Sequence, residues 1–362
     1  MDRSEQMIKG YLRKLDPKIF GLDGIKSIRI KRIGLGESNL NYLTIINGKK
    51  FIVRINMDPR SLNKSKKEYN SLRIVEHLGI APKVFHLETS KKCLGETFII
   101  LEYLEGKSLE ECKKVDKNTL RKLGRIVAQL HNTSIDNIRK HMGKIGSSKT
   151  DILNDIRIRI DYIKTKRKIY FKGKREFEDV LTNSYRRLQQ LKFDSKPYYI
   201  LGHGDIAPQN VIISAGKELK LIDWEDLGLI DPAYEIAIIF DSFDFSDRQK
   251  ELFLEEYSKV KKYPDLRKRI PLFWLLQLFS DFCWAIMHVY EIGEEEMHES
   301  FLREQNLKEH IDYAKKMFQK CKKEGIIDKN ARWDASKIFP EKYLKTHMHA
   351  KVQQVSSTSN KN

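Results

Sequence analysis

Apolar and polar positions recur with different periods along the chain, and the changes of period divide it. Met7, Ile8, Tyr11, Leu12 and Leu15 return at three- and four-residue intervals, which predicts an amphipathic helix. Short β-rich runs follow: Ile28-Arg29-Ile30, Tyr42 to Ile46 and Phe51 to Ile55. Gly34-Leu35-Gly36 separates the first two, and Asn47-Gly48 separates the last two. Asn-Gly is the pair that tolerates the positive φ angles of a two-residue hairpin turn. Ser65 to Leu78 reads as a helix and Thr97 to Glu102 as a strand, so residues 1–100 predict a small sheet with one internal helix.

Past Gly106 helical spacing takes over. Leu120, Leu123, Ile126, Val127 and Leu130 form one stripe, Ile152, Ile156, Ile160 and Ile163 another, and Leu307, Ile311, Ala314 and Phe318 a third. The exception is a compact strand-loop-strand expected at Tyr199 to Trp224. The most apolar stretch, Ile270 to Tyr290, contains Gln277, Ser280 and Asp281. A lipid-facing span tolerates such residues poorly, so the stretch reads as a buried helix. The polar, aperiodic end, residues 346–362, reads as a disordered tail.

Composition narrows the class. The 362 residues are 40% hydrophobic and 33% charged, with 9 Pro and 19 Gly, which excludes a collagen-like or largely disordered chain. Sixty-eight basic against 50 acidic residues give a net charge of +18. That excess suits a polyanion, but it is spread along the chain and no nucleic-acid recognition module accompanies it. Cys93, Cys112, Cys283 and Cys321 form no C-x-x-C pair and have no His at zinc spacing, so neither a disulfide frame nor a metal knuckle is indicated. No apolar secretory segment follows Met1-Asp2-Arg3-Ser4-Glu5, and a cytoplasmic location with reduced thiols is expected.

The sharpest chemical signal is His203-Gly204-Asp205-Ile206-Ala207-Pro208-Gln209-Asn210, followed by the strand Val211-Ile212-Ile213. A second strand, Leu219 to Ile222, delivers Asp223-Trp224-Glu225-Asp226. An Asp, an Asn and a second Asp at the ends of adjacent strands are what phosphoryl transfer requires. One carboxylate accepts the nucleophile's proton, while amide and carboxylate oxygens hold magnesium on the phosphates.

On H-G-D-x-x-x-x-N followed by I-D-W-E, the chain resembles the aminoglycoside phosphotransferase and choline kinase superfamily, relatives of the protein kinases, over roughly residues 25–240. The resemblance implies that Asp205 is the catalytic base, that His203 braces the catalytic loop, and that Asn210 and Asp223 are the magnesium ligands. Gly34-Leu35-Gly36-Glu37-Ser38-Asn39 would by itself be an ordinary turn. It lacks the third glycine and following helix of a dinucleotide fingerprint. Beside Asp205 and Asp223 it reads as a phosphate-covering hairpin, with Gly34, Gly36, Ser38 and Asn39 against the nucleotide. Arg54, with Glu68 as its partner on the next helix, would steady the α- and β-phosphates, where protein kinases carry Lys. Leu101 and Tyr103 would line the adenine through backbone groups.

Asp231-Pro232 has the chemistry of a helix start, and Glu235 stands where the family usually has Asp in its D-P-x-x-D-L-A segment. Phe273, Trp274, Phe279, Phe282, Trp284 and Tyr290 crowd one helix with Asp281 among them. Choline kinases hold a quaternary ammonium with such aromatic faces and nearby acids, which singles out Trp284, Asp281 and Glu225 as acceptor residues; a plain core helix gives the same pattern. Seven basic residues between Lys164 and Arg175 suit either an anionic partner or a solvated loop.

The expected fold is therefore α+β, two-lobed and protein-kinase-like: a small β-sheet lobe (1–101), a hinge (102–106) and a mainly helical lobe (107–345). The expected activity is transfer of the γ-phosphoryl group of ATP, with Mg2+, to the hydroxyl of a small cationic molecule, choline-, ethanolamine- or aminoglycoside-like. No membrane insertion or nucleic-acid partner is expected, and the oligomeric state is left open. Two alternatives stand beside it: a catalytically idle nucleotide-binding protein on the same fold, and a basic nucleic-acid-binding protein.

Overall fold

A computed structural model describes residues 3–35, 39–57, 61–112, 115–136, 148–166, 173–192, 198–293 and 307–333. By contact the chain falls into two units, Met1–Ile145 with Tyr198–Leu266, and Gly146–Pro197 with Arg267–Asn362. The strands and loop expected to carry chemistry thus share a unit with the amino-terminal sheet.

In the first unit β1 (Ile28–Leu35), β2 (Asn39–Ile46), β3 (Lys49–Asn56), β4 (Val84–Glu88) and β5 (Phe98–Glu102) form one sheet in the order β1-β2-β3-β5-β4. All its pairings are antiparallel. The β2–β3 turn closes between Ile46 and Lys49, with φ of 49° at Asn47 and 88° at Gly48, the geometry for which Asn-Gly was expected. Helix α1 (Arg3–Leu12) lays Ile8 and Leu12 into one cluster with Phe20, Tyr42, Phe51, Val53, Phe98 and Ile100. At ~1.5–3 kcal/mol for each large apolar side chain fully removed from water, this cluster is what holds the helix on the sheet. Helix α2 (Ser61–Val75) begins four residues before the expected start and runs on as a short 3-10 turn to Leu78.

The rest of the unit frames the loop after His203. β6 (Lys107–Ser108), β8 (Val211–Ile213) and β9 (Leu219–Leu221) form a small sheet, and β7 (Ile200–Gly202) pairs antiparallel with β10 (Gly228–Ile230). Strand β10 escaped the sequence reading because three wholly buried residues show no period. Helix α3 (Lys117–His131), capped by Asp116, packs against α7 (Asp247–Val260). Helix α6 (Pro232–Ser242) starts as expected: Asp231 accepts from the Ala233 N–H at 2.9 Å.

The second unit contains α4 (Lys149–Thr165), α5 (Lys174–Gln189), α8 (Leu266–Gly293) and α9 (Leu307–Lys323). Helix α8 is long and apolar enough to cross a membrane by composition, yet 56% of its most apolar window is buried within the protein. Phe273, Leu276, Phe279, Phe282 and Ile286 follow one another at helical spacing and are all buried, as the sequence led us to expect. Its polar positions have internal uses. Ser280 receives the Arg159 guanidinium through its carbonyl at 2.9 Å, and Gln277 donates to Asp281 at 2.7 Å. Phe177, Phe282, Phe318 and Trp333 close an aromatic core, with Phe177 stacked on Trp333 at 5.3 Å. Residues 167–172 of the basic segment and the tail expected at 346–362 lie outside the described residues.

Candidate active site

The candidate site is built on the loop between β7 and β8. His203 is fully buried at the end of β7. Its Nδ1 accepts from the Asp205 N–H at 3.2 Å, which requires Nε2 to carry the proton and donate to the Ile222 carbonyl at 3.0 Å. Burial holds its pKa below the ordinary histidine value, so the neutral ring fits that bonding. The imidazole therefore ties the backbone of Asp205 to the strand end that presents Asp223. Gly204 between them has φ +89°, and a Cβ there would meet the Asp226 carbonyl oxygen at 2.8 Å, so only glycine fits.

Asn210 Nδ2 donates to the Asp205 carboxylate at 2.8 Å and to the Asp205 carbonyl at 3.0 Å, which turns its own Oδ1 away from Asp205. The Ile222 N–H bonds the Asn210 carbonyl at 2.9 Å and locks the two strand ends together. Asp223 follows with φ 68° and ψ 63°, a left-handed conformation that is costly for a side chain with a Cβ. Trp224, fully buried with Nε1 on the Leu221 carbonyl, holds this turn from beneath.

Arg54 arrives from β3. Its Nη2 donates to Asp223 at 2.7 Å, and Nη1 lies 3.4 Å from Glu68 of α2, the partner expected from the sequence. Burial works against its charge, but Glu68, Asp223 and Glu225 outweigh it and keep the guanidinium protonated. Glu68, wholly enclosed, is pushed up to about 7 by burial despite Arg54 beside it. Asp205 is raised to about 6, first by burial and then by Asp223 and Asp226. Glu225 is raised by burial and by Asp223, and one of its oxygens is buried without a hydrogen-bond partner.

Acids that raise one another's pKa values form a site that a cation relieves. Asn210 Oδ1 and the Asp223 carboxylate are hard oxygen donors of the kind that could hold magnesium. Among the described residues no three His, Cys, Asp or Glu side chains are grouped so as to hold a metal by themselves.

Of the remaining sequence-derived residues, Asn39 opens β2 and is buried against Arg54, and Gly34 lies in β1, whose register with β2 shifts between Arg32 and Leu35. Gly36 and Ser38 lie outside the described residues. Leu101 sits on β5 opposite Ile52 on one side and Val84 on the other, and Tyr103 follows the strand with the Lys50 ammonium over its ring at 5.2 Å. Asp281 and Trp284 belong to the second unit, where half-buried Trp284 packs on His288 at 4.2 Å and near His310 at 5.8 Å.

Sequence reasoning missed a buried chain behind the loop. Glu235 accepts the Gly204 N–H at 2.7 Å through one oxygen and bonds His131 Nε2 through the other, while His131 Nδ1 meets the Tyr257 hydroxyl at 2.8 Å. Glu235 thus ties the Gly204 turn to the end of α3. The available signal was a histidine ending the apolar stripe of α3, which reads equally well as a core residue.

The chain matches the model of the phosphotransferase enzyme family over residues 29–272 and belongs to that family. It is the family that H-G-D-x-x-x-x-N and I-D-W-E indicated. Protein LicA of Haemophilus influenzae is 24% identical over 247 residues, which are 66% of this chain and 65% of that protein, so the chain spans just under two thirds of that relative's length. The structure of choline kinase LicA from Streptococcus pneumoniae superposes with a TM-score of 0.56 at 19% identity, covering 88% of this chain and 98% of that one. Spectinomycin phosphotransferase APH(9)-Ia, solved with ADP and spectinomycin, gives 0.58 at 14% identity, covering 82% and 90%. These likenesses establish the protein-kinase-like α+β fold.

Proposed function

We propose that the protein transfers the γ-phosphoryl group of ATP to the hydroxyl of a small amino alcohol of the choline or ethanolamine kind. The observation that carries this reading is the convergence of Asp205, Asn210 and Asp223, with Asn210 bonded to Asp205 at 2.8 Å and Arg54 to Asp223 at 2.7 Å. Asp205, near neutral pKa, accepts the acceptor's proton as its oxygen attacks phosphorus. Asn210 and Asp223 would hold magnesium, which supplies charge neutralisation at the phosphates, and Glu225 would contact the acceptor. Arg54 steadies the phosphates, and His203 and Glu235 keep the loop aimed. Catalysis on this account is positioning and electrostatics, with little covalent chemistry asked of the protein.

The nucleotide assignment is supported by the ADP bound in the spectinomycin phosphotransferase, and the acceptor class by the two proteins named LicA, one of them a choline kinase. A hinge at 102–106, with Leu101 and Tyr103 at the adenine, belongs to the same proposal. So does recognition of a cationic acceptor by Trp284 with Asp281 three residues before it on α8, where an ammonium against the indole gains ~0.5–2 kcal/mol. Incubation with ATP, magnesium and a pool of amino alcohols, aminoglycosides, sugars and vitamins, read by mass spectrometry, tests the reading. A phosphate-sized mass gain on choline or ethanolamine supports it; a gain confined to a sugar or aminoglycoside overturns the acceptor class.

A further inference from the structure

By its place after Gly36 and Ser38, Asn39 belongs to the phosphate loop, yet its contacts lead elsewhere. In the β2–β3 register Asn41 lies opposite Arg54 and Asn39 opposite Asn56. Residues 39 and 41 share a face of the sheet, which makes Asn39 the diagonal neighbour of Arg54. Its side chain is 6% exposed. A guanidinium carries donors only, so the atom of Asn39 that meets it is Oδ1, an assignment made from the hydrogen-bond network. That oxygen accepts from Arg54 Nε at 3.2 Å and from Nη2 at 2.6 Å.

We infer that Asn39 is a positioning residue for Arg54 rather than a ligand of the nucleotide. Bonds from Nε and Nη2 to one oxygen fix the plane of the guanidinium about its long axis, with Nη1 toward Glu68 and Nη2 toward Asp223. Without that oxygen, the buried Nε–H loses an acceptor and the fork is free to rotate off the phosphates. A lysine would have no such need, because an ammonium is a compact charge with rotatable donors. Asn39 and Arg54 are in this sense a matched pair, and Arg at position 54 is usable because Asn39 is there. The kinetic consequence rests on the proposed ATP chemistry; the contact itself does not.

A double-mutant cycle tests this with Asn39→Leu, Asn39→Asp, Arg54→Lys and the Asn39→Leu/Arg54→Lys double variant. It is read by calorimetric ADP binding with magnesium, by kcat and KM for ATP, and by the Nε–H resonance of Arg54 in 15N-arginine-labelled protein. In the Arg54 background Asn39→Leu should weaken ADP roughly tenfold, and in the Arg54→Lys background less than about twofold, so the coupling is at least about fivefold, or about 1 kcal/mol. The Arg54 Nε–H resonance should move and exchange faster in Asn39→Leu, and Asn39→Asp, which retains the acceptor, should restore it. Asn39→Ser, whose shorter side chain withdraws the oxygen, replaces Asn39→Leu if the latter does not fold. Equal losses in both backgrounds would make Asn39 a direct nucleotide ligand and overturn the inference. An unchanged Nε–H resonance in Asn39→Leu overturns it as well. Failure of the wild type to bind ADP would instead sink the nucleotide reading, and the resonance would still decide the contact.

Discussion

Arg54 and Asp223 stand 169 residues apart in sequence, and the guanidinium Nη2 of the one donates to the carboxylate of the other at 2.7 Å. The pair joins the third strand of the amino-terminal sheet to the turn after β9. It also sets the cation proposed to steady the phosphates on the carboxylate proposed to take the metal, so on the proposed function nucleotide and magnesium would compete for this contact.

Arg54→Ala should therefore harm stability as well as chemistry. Glu68 would be left buried beside Asp223 and Glu225 with its positive partner gone, and breaking a buried pair from one side costs about 3–5 kcal/mol. Chemical denaturation should show a loss of that order, and Glu68→Gln in the same background should recover part of it.

Asp223→Ala removes the carboxylate proposed to hold the metal and frees Arg54 from it. Nucleotide binding should lose its dependence on magnesium, and added magnesium should not restore turnover. Titrating nucleotide with and without the metal checks this; an undiminished magnesium effect places the metal on other residues.

Glu235→Ala takes the acceptor from the half-buried Gly204 N–H and from the buried His131. Leaving such groups unpaired costs about 1–3 kcal/mol each, and because Gly204 precedes Asp205 the kcat should fall more than nucleotide affinity. Glu235→Gln, which retains an oxygen for Gly204, should keep more activity than Glu235→Ala. Equal activity in the two would mean that the brace does not act on the loop.

The sequence carried the local parts of this picture, and the parts it withheld are long-range contacts. Asn47-Gly48 announced its hairpin because two successive positive φ angles select those residues, and H-G-D-x-x-x-x-N fixed Asp205 and Asn210 because five residues of loop must return to a strand. The stripe of α8 was readable as core from Gln277, Ser280 and Asp281. Nothing in the spacing of α3 or α6 told that His131 would meet Glu235 across 104 residues. Asn39 was placed by its neighbours in the chain, while its partner was set by strand register, which periodicity does not encode.

The pH profile carries the mark of the acid cluster. Asp205 must be ionised to accept a proton, and burial with Asp223 and Asp226 raises its pKa to about 6. The acidic limb of kcat/KM should thus lie near pH 6, above the ordinary carboxylate value of about 3.9, with the rate falling about tenfold per unit below it. Raising magnesium, which offsets Asp223, should draw the limb down. A limb that stays at the ordinary carboxylate value at every magnesium concentration would remove Asp205 as the base.

The most direct measurement compares wild type with Asp205→Asn, following phosphoryl transfer from ATP to an amino alcohol and nucleotide affinity in the same preparations. The substitution keeps the shape and a hydrogen-bonding side chain beside Asn210 while removing the proton acceptor. Turnover is predicted to fall by roughly 100- to 10,000-fold with nucleotide affinity changed less than about threefold. Near-normal turnover in the variant would contradict the assignment of Asp205 and, with it, the account of the site.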